Sequence, residues 1–419
     1  MAVRGNEPYW RGQRCFRAAG QLAGNPSVCE SPLVYKKVGE RAAAGFPHSR
    51  VAFAGQVRSF GKVQLSWHRV NLELTHRWAI ANAPATRTQS VVIVQLRDET
   101  GLVGWGEAAP SMRYGETVSA VEEFLARVEP ARLSFADVEG SLQSLEQLGP
   151  APAAARCALE MALWDGVARQ ARQPLYDYLG LGFEEGRYVS SFTIGIDAPE
   201  VVRAKVQSAA GHPVLKIKMG VPQEAEVLRA VREVAPRTPL RVDANEGWPS
   251  KEEALRKLEW LAEDRCIEFV EQPMPAERPL ADWVWLKERS PLPILADESC
   301  RTEGDLTRCA ECFHGVNVKL VKAGGLAVAK RMLQKARVWG LRTLLGCMVE
   351  TSVGISAAAH LAGLCDFLDL DGNLLIRNDP FTGVTQERGR LTFARAPEPW
   401  GLRVAPRAGA AWPPPDPGR

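Results

Sequence analysis

The chain has 419 residues, of which 46% are hydrophobic and 24% charged, and its formal net charge is +3. This composition indicates a globular protein with room for two or three domains, and it gives no basis for binding nucleic acid through charge. No apolar run reaches the length of about 18 residues that a membrane helix needs, so we expect no membrane partner. The nine cysteines lack the spacing of a disulfide framework, which indicates free thiols in a reducing cytoplasm.

Residues 1–61 contain nine Lys or Arg residues and three Glu, without a helical or strand period. A transit peptide, an upstream start codon and a disordered extension are all compatible with this composition. We therefore leave residues 1–61 out of the predicted fold.

An α+β domain is predicted over residues 62–185. Alternating stretches at 63–73 and 90–97 predict two strands, and a third follows the turn at 98–101. The predicted helices of this domain lie at 118–127, 135–148 and 151–172. The loops at 78–87 and 111–116 are predicted to reach over a neighbouring domain.

From residue 186 to residue 377, short apolar runs that end in a polar group alternate with helical segments. The first predicted strands are 188–196, with Thr193 near its end, and 214–220. The later strands end at or near Asp243, Glu271, Asp297, Lys319, Glu350 and the pair Asp369 and Asp371. The helical segments include 223–234, 251–264, 326–339 and 352–364. Seven or eight such units predict a (β/α) barrel, whose chemistry lies at the C-terminal ends of the strands.

The last part of the chain is predicted to return to the first domain through residues 378–405, with short strands at 390–393 and 402–404. Residues 406–419 are rich in proline and are predicted to form a disordered tail. Cys309 and Cys312 form one isolated CxxC pair, for which zinc binding is the less favoured interpretation because no second pair or histidine pattern accompanies it.

Two lysines stand on the predicted strand 214–220. Lys216 and Lys218 are two residues apart, so their side chains point to the same face. Repulsion between them and burial would both lower the pKa of these lysines. An edge strand with both ammonium groups in solvent is the alternative interpretation.

Three carboxylates end successive predicted strands. A barrel would bring Asp243, Glu271 and Asp297 together, and their mutual repulsion would then require a cation. Oxygen-only ligands favour Mg²⁺ or Mn²⁺ over zinc. Taken singly, each acid also has a structural explanation, such as a helix cap, an arginine partner or a bent loop. Lys218 and Lys319 flank the triad, which predicts one amine on each side of a substrate carboxylate held at the metal.

These residues belong to five motifs that resemble the muconate-lactonizing subgroup of the enolase superfamily. The motifs are Lys216-Ile-Lys218, Asp243-Ala-Asn245, Glu271-Gln-Pro273, Ala296-Asp297-Glu298-Ser299 and Asn317-Val-Lys319. The resemblance covers roughly residues 62–405 and implies a modified (β/α)7β TIM barrel with an N-terminal α+β capping domain that the C-terminal segment completes. It implies that Asp243, Glu271 and Asp297 bind Mg²⁺ and that Lys218 and Lys319 are the two acid–base residues. Lys216 and Asn245 would support them.

Within that subgroup, Asp369-Leu-Asp371 is similar to the Asp-x-Asp motif of dipeptide epimerases, whose carboxylates hold the free α-ammonium of the substrate. A tight turn capped by two aspartates is the structural alternative. The resemblance implies a magnesium-dependent isomerase that inverts the α-carbon of the C-terminal residue of a dipeptide, by two-base 1,1-proton transfer through an enediolate. Further candidate substrate contacts are Thr193, Glu350, Arg77, Arg87, Arg113 and Tyr114.

Other functions compete with this interpretation. The same site could serve o-succinylbenzoate synthesis, N-acylamino acid racemisation or muconate cycloisomerisation, but none of those substrates has an α-ammonium for Asp369 and Asp371. A non-catalytic barrel would not need all five catalytic positions, and a glycosidase built on Glu271 and Asp297 would leave the lysines unexplained. We expect a cytoplasmic homo-oligomer that acts on a small molecule and binds no nucleic acid.

Overall fold

A computed structural model describes residues 63–408 of the chain. The predictions for residues 1–61, and for the tail from residue 409 onward, lie outside the described residues. Within residues 63–408, no helix combines the length and the apolar character needed to cross a membrane.

The first part of the described chain is a three-stranded antiparallel sheet packed on helices, here called the cap. Its strands, in sheet order, are β1 (Gln64–Ile80), β2 (Ala83–Arg97) and β3 (Val103–Ala108). Its helices are α1 (Val118–Ala126), α2 (Val138–Gln147) and α3 (Ala153–Gln170). Thr117 and Asp137 begin α1 and α2, because each side chain accepts a backbone N–H from the first turn. Buried side chains of the sheet and these helices form an apolar core of the cap.

Eight parallel strands form the second sheet, and their order in the sheet follows the chain. The strands are β4 (Phe192–Ile194), β5 (Leu215–Lys218), β6 (Leu240–Asp243), β7 (Ile267–Glu271), β8 (Ile294–Ala296), β9 (Gly315–Lys319), β10 (Arg342–Gly346) and β11 (Phe367–Asp369). A parallel bridge between Ser190 and Leu368 joins the last strand to the segment that leads into the first. The predicted (β/α) barrel is therefore confirmed, although β4 is shorter than the predicted strand at 188–196.

Helices follow the barrel strands and cover the outside of the sheet. The short helix α4 (Leu175–Tyr178) precedes the first of these strands. The helices after the strands are α5 (Pro199–Ser208), α6 (Glu224–Val234), α7 (Lys251–Ala262), α8 (Leu280–Arg289), α9 (Leu306–Cys312), α10 (Leu320–Ala323), α11 (Leu326–Val338) and α12 (Ser352–Ala359). The four helical segments predicted in the barrel correspond to α6, α7, α11 and α12. The predicted segment 352–364 ends early, since α12 stops at Ala359 and a 3₁₀ turn follows at Ala362–Leu364.

The C-terminal segment forms two small antiparallel pairs. β12 (Phe381–Thr382) pairs with β15 (Ala405–Pro406), and β13 (Thr385–Glu387) pairs with β14 (Arg390–Thr392). Pairing therefore extends to Pro406, the first residue of the predicted tail. The strand predicted at 402–404 is absent, because Arg403 has a φ of 62° and this left-handed conformation interrupts an extended chain.

One buried carboxylate joins three parts of the chain. Asp165 of α3 is fully buried and accepts the N–H of Trp105 in β3 at 2.9 Å and the N–H of Leu402 at 2.7 Å. Its Oδ1 also accepts from Arg169 Nε at 2.9 Å. The cap sheet, the helix that follows it and the C-terminal segment are thus fastened at one side chain.

The predicted loop at 78–87 is mostly a β-hairpin, so that prediction was wrong. β1 continues to Ile80 and β2 begins at Ala83, which leaves a two-residue turn. The register shifts between Glu73 and Trp78, and this irregularity breaks the alternation of side chains by which a strand is recognised. The hairpin reaches the barrel, where the N–H of Ile196 donates to the carbonyl of Ala79 at 3.1 Å.

Candidate active site

Three buried carboxylates meet at the C-terminal ends of neighbouring barrel strands. Asp243 ends β6, Glu271 ends β7, and Asp297 follows β8 directly. Each residue has a carboxylate oxygen that lies within 4.8 Å of a carboxylate oxygen of each of the other two. The convergence follows from the parallel barrel, since each strand delivers its last side chain to the same rim.

Four lysines surround these carboxylates. Lys216 Nζ lies 3.0 Å from Asp243 Oδ2, 2.8 Å from Glu271 Oε2 and 2.7 Å from Asp369 Oδ2. Lys218 Nζ donates to Asp243 Oδ2 at 2.6 Å, and Lys319 Nζ donates to Asp297 Oδ2 at 2.8 Å. Lys322, which the sequence analysis missed, donates to Asp297 Oδ1 and to the carbonyls of Asp297 and Asn317 at 2.7 and 3.0 Å.

The charges of this cluster depend strongly on one another. Burial disfavours the ammonium of Lys216, but Asp243, Asp369 and Glu271 outweigh it and raise its pKa well above the usual value. The predicted lowering of the Lys216 pKa was therefore wrong, because the repulsion from Lys218 is smaller than the attraction of the acids. Burial also opposes the charge of Lys319, whose pKa Asp297 nevertheless raises.

The acids respond in different directions. Burial and the charge of Asp243 raise the pKa of Glu271 to about 7. Burial acts in the same direction on Asp297, but Lys319 and Lys322 hold its pKa well below the usual value. The site therefore brings several acids together and compensates them with fixed ammonium groups.

The donor set fits a hard divalent cation. It consists of carboxylate oxygens alone, on residues that are buried, and among the described residues no other group of three or more His, Cys, Asp or Glu side chains is close enough to hold a metal ion. Asn317 Nδ2 donates to Glu271 Oε1 at 2.7 Å, and the N–H of Asp297 donates to Gln272 Oε1 at 2.9 Å, so neighbours hold two of the three acids in place. Oxygen ligands of this kind suit Mg²⁺ or Mn²⁺.

A cavity of about 490 Å³ lies above this cluster, between the strand ends and the cap. Among the predicted site residues, those that line it are Thr193, Lys216, Lys218, Asn245, Asp297, Lys319, Asp369, Asp371, Arg113 and Tyr114. Asp243 and Glu271 are completely buried and are not part of its surface. Asn245 follows β6, and its Nδ2 lies 3.4 Å from Glu298 Oε1.

Lys218 and Lys319 occupy opposite sides of the barrel rim. Lys218 ends β5 and Lys319 ends β9, and four strand steps in a closed barrel of eight separate the two. Each lysine also bonds to a different acid of the same triad. A small molecule lying on the triad would therefore have one amine on each side.

Two aspartates and a threonine form a polar corner of the same cavity. Asp369 Oδ1 accepts from Ser191 Oγ at 2.6 Å, and Asp371 Oδ2 accepts the N–H of Thr193 at 2.6 Å. Burial opposes the charge of Asp369, but Lys216 lowers its pKa to about 2. Burial and the charge of Asp369 together raise the pKa of Asp371 to about 7. The corner thus adds two acidic side chains to the cavity lining, of which Asp369 is already paired with Lys216.

Three predicted contacts lie elsewhere. Arg77 and Arg87 are exposed and do not line the cavity. Glu350 is buried outside the lining, where its Oε1 accepts the N–H of Met348 at 2.8 Å. Its neighbour is Glu107 of β3, whose carboxylate accepts the N–H groups of Thr351 and Gly354 at the start of α12, both at 2.8 Å. Glu350 thus belongs to the seam between cap and barrel.

Family comparisons agree with this architecture. The mandelate racemase / muconate lactonizing enzyme N-terminal domain matches residues 69–180, and the enolase C-terminal domain-like family matches residues 200–393. The L-Ala-D/L-amino acid epimerase of Pedosphaera parvula is 52% identical over 344 residues, which make up 82% of this chain and 99% of that protein.

Comparison with solved structures also finds epimerases among the similar proteins. The substrate-liganded L-Ala-D/L-Glu epimerase of Bacillus subtilis is similar with a TM-score of 0.76 at 29% identity, covering 82% of this chain and 98% of that one. The dipeptide epimerase of Enterococcus faecalis, complexed with Mg and L-Leu-L-Tyr, gives a TM-score of 0.74 at 30% identity and covers 82% of this chain and 99% of that one.

The chain therefore belongs to the enolase superfamily, in the group built on the mandelate racemase / muconate lactonizing enzyme domains. The resemblance inferred from the five strand-end motifs is confirmed. Within that group, the three similar proteins described above are all epimerases.

Proposed function

We propose that this protein is a magnesium-dependent dipeptide epimerase that inverts the α-carbon of the C-terminal residue. The observation that carries the proposal is the placement of Lys218 and Lys319 on opposite strands of one barrel, each bonded to an acid of the same triad. Inversion requires a proton to leave one face of a carbon and another to arrive on the opposite face, and two opposed amines meet that requirement.

Asp243, Glu271 and Asp297 would hold the cation. When bound, Mg²⁺ would stabilise the negative charge that develops on the substrate carboxylate as the α-proton leaves. The ammonium group of Lys216 contacts Glu271 and that of Lys322 contacts Asp297, and these contacts hold the two acids in place. The side-chain amide of Asn317 also donates a hydrogen bond to Glu271. The lysine that takes the proton acts in its neutral form, and the opposite lysine donates from its charged form.

Asp369 and Asp371 would bind the free α-ammonium of the dipeptide. Both line the cavity that contains the two lysines, and both are buried enough for a charge pair there to be strong. This pair favours a dipeptide over N-acylated amino acids, o-succinylbenzoate precursors or muconate, because those substrates offer no cation to it. The relatives with dipeptide epimerase activity in their names support the same choice.

Proton NMR in D₂O with added Mg²⁺ tests the proposal on L-Ala-L-Xaa dipeptides. We expect the wild-type protein to exchange the C-terminal α-proton for deuterium and to invert that centre. Lys218→Ala and Lys319→Ala should each reduce inversion by about 10²-fold or more, the range lost with an acid–base group. Lys205→Ala is a matched control, because Lys205 is also buried and paired, with Asp197 at 3.0 Å, but does not line the cavity. Inversion at the wild-type rate in either active-site variant would rule out the two-base scheme.

Two further expectations from the sequence remain predictions: first, that the protein forms a homo-oligomer, and second, that it is located in the cytoplasm. Size-exclusion chromatography with light scattering would decide the first of them.

A further inference from the structure

The cap supplies the roof of the cavity, here defined as the lining residues of the β1–β2 hairpin and of the loop at 111–116. Most of its side chains are uncharged, and its large apolar members include Leu74, Trp78, Ile80 and Met112. Among the roof residues, Arg113 is the one that carries a positive charge. Arg113 is therefore the roof side chain whose charge is of the right sign to pair with an acidic substrate group.

Arg113 is already bound to two acids. Its Nε lies 2.6 Å from Glu246 Oε2 and its Nη2 lies 2.7 Å from Glu246 Oε1, a bidentate arrangement. The same Nη2 lies 2.8 Å from Glu277 Oε1. Hydrogen bonding to Glu246, against the effect of burial, raises the pKa of Arg113 above its usual value. The single positive charge of Arg113 is thus paired with two carboxylates of the protein.

Glu246 is held in place beside Arg113 by burial and by further hydrogen bonds. Its side chain is only 7% exposed, and its oxygens also accept from Asn82 Nδ2 at 3.1 Å and from the N–H of Ala276 at 2.7 Å. Asn82 in the hairpin turn donates a second hydrogen bond to Glu298 Oε1 at 3.0 Å, and Glu298 lines the cavity. The arginine therefore serves to tie the loop at 111–116 to the barrel.

A substrate side chain with a negative charge would meet an unfavourable field here. Arg113 with Glu246 and Glu277 carries a formal charge of −1. An incoming carboxylate would have to compete with a buried bidentate acid for the guanidinium, and like charges at short range oppose binding. An uncharged side chain would instead pack against Trp78, Ile80 and Met112.

We propose that the roof excludes dipeptides whose epimerised residue has an acidic side chain, and that Arg113 is a tie between cap and barrel that leaves no cation for such a side chain. This inference rests on the proposed dipeptide epimerase function and specifies its substrate class. The Arg113–Glu246 pair is then a determinant of specificity, because breaking it would release a cation into the roof.

The first test compares L-Ala-L-Gln with L-Ala-L-Glu, which differ in charge but hardly in shape, and adds L-Ala-L-Leu and L-Ala-L-Lys. Rates of α-proton exchange in D₂O with Mg²⁺ give kcat/KM for each. We expect Gln and Leu each to exceed Glu by at least about tenfold, and Lys to exceed Glu as well. A kcat/KM for Glu equal to or above that for Gln would overturn the inference, and so would a kcat/KM for Glu above that for Lys. Exchange with none of the four would remove the proposed function and the inference together.

The second test releases the arginine. Glu246→Gln should raise the Glu-to-Gln ratio of kcat/KM by about tenfold, because Arg113 then has a single exposed acid left. Glu277→Gln is the matched control, since it removes the other acid but keeps the bidentate contact, and it should change the ratio by less than about twofold. Circular dichroism and exchange with L-Ala-L-Leu check that Glu246→Gln is folded. An unchanged ratio in a folded Glu246→Gln protein would show that the tie does not set specificity.

Discussion

The floor of the cavity, formed by the barrel strand ends, and its roof in the cap handle charge in opposite ways. On the floor, Lys216, Lys218 and Lys319 face the acid triad, and Asp369 and Asp371 lie at one edge. These charged side chains surround the part of the cavity in which a substrate would bind. In the roof, Arg113 is neutralised within the protein itself. The difference indicates that the floor carries the chemistry and that the roof sorts side chains by shape and polarity.

The largest expected effect comes from breaking the acidic corner of the floor. Asp371→Asn should lower kcat/KM for a free dipeptide on the order of 10²-fold, because a buried charge partner of the substrate ammonium is lost. An N-acetylated dipeptide, which has no ammonium, is the matched substrate and should lose far less. If Asp371→Asn preserves the wild-type preference for the free amine, the carboxylate does not bind the ammonium.

A smaller effect is expected from the layer beneath the floor. Lys322→Met should reduce kcat/KM about tenfold or more, because Asp297 loses the ammonium that fixes its Oδ1, and groups that orient metal ligands typically contribute this much. Lys330→Met is a suitable control, since Lys330 lies on the neighbouring helix α11 and donates to the carbonyl of Leu179 at 3.1 Å. Wild-type kcat/KM in Lys322→Met would argue against a positioning role.

The smallest effect concerns the seam that joins roof to floor. Burial and the charge of Glu350 raise the pKa of Glu107 to about 8, and burial raises that of Glu350 to about 7. Both pKa values lie above the ordinary value of 4.5, so the folded protein holds more protons than the unfolded chain between about pH 4.5 and 8. The free energy of unfolding should therefore fall as the pH rises through that window.

Glu350→Gln tests this seam by removing one charge while keeping an oxygen for the N–H of Met348. In metal-free buffer, the fall in Tm between about pH 6 and about pH 9 should be smaller in the variant than in the wild type by a few degrees. Thermal unfolding followed by circular dichroism measures the difference. Parallel pH dependences in the two proteins would mean that the charge of Glu350 does not contribute to the pH dependence of stability.

The floor could be predicted from the sequence because each barrel unit places a polar residue at the end of a short apolar strand. Asp243, Glu271, Asp297 and Lys319 were all recognisable in this way. Lys322 was not, since it lies inside the short helix α10 with no strand-end signal. The positive pKa shift of Lys216 was also missed, because it depends on Asp369, which is 153 residues away in the chain.

The roof could not be predicted, because it depends on contacts between the cap and the barrel. Arg113 and Glu246 are 133 residues apart, and nothing near Arg113 in the sequence announces that it is paired. The hairpin was interpreted as a loop because the register shift after Glu73 hides its alternation. Periodicity reports local structure, whereas the position of a docked element depends on which surfaces meet.

The carboxylate of Asp165 has a consequence for the order in which the protein can mature. Two of its partners, Trp105 and Arg169, are synthesised close to it, but the N–H of Leu402 becomes available only after 237 further residues have been added. Until then, Asp165, which is fully buried in the folded protein, lacks one of its hydrogen bonds. A nascent chain on the ribosome would therefore carry an incomplete cap until the segment around Leu402 is made and packs against Asp165.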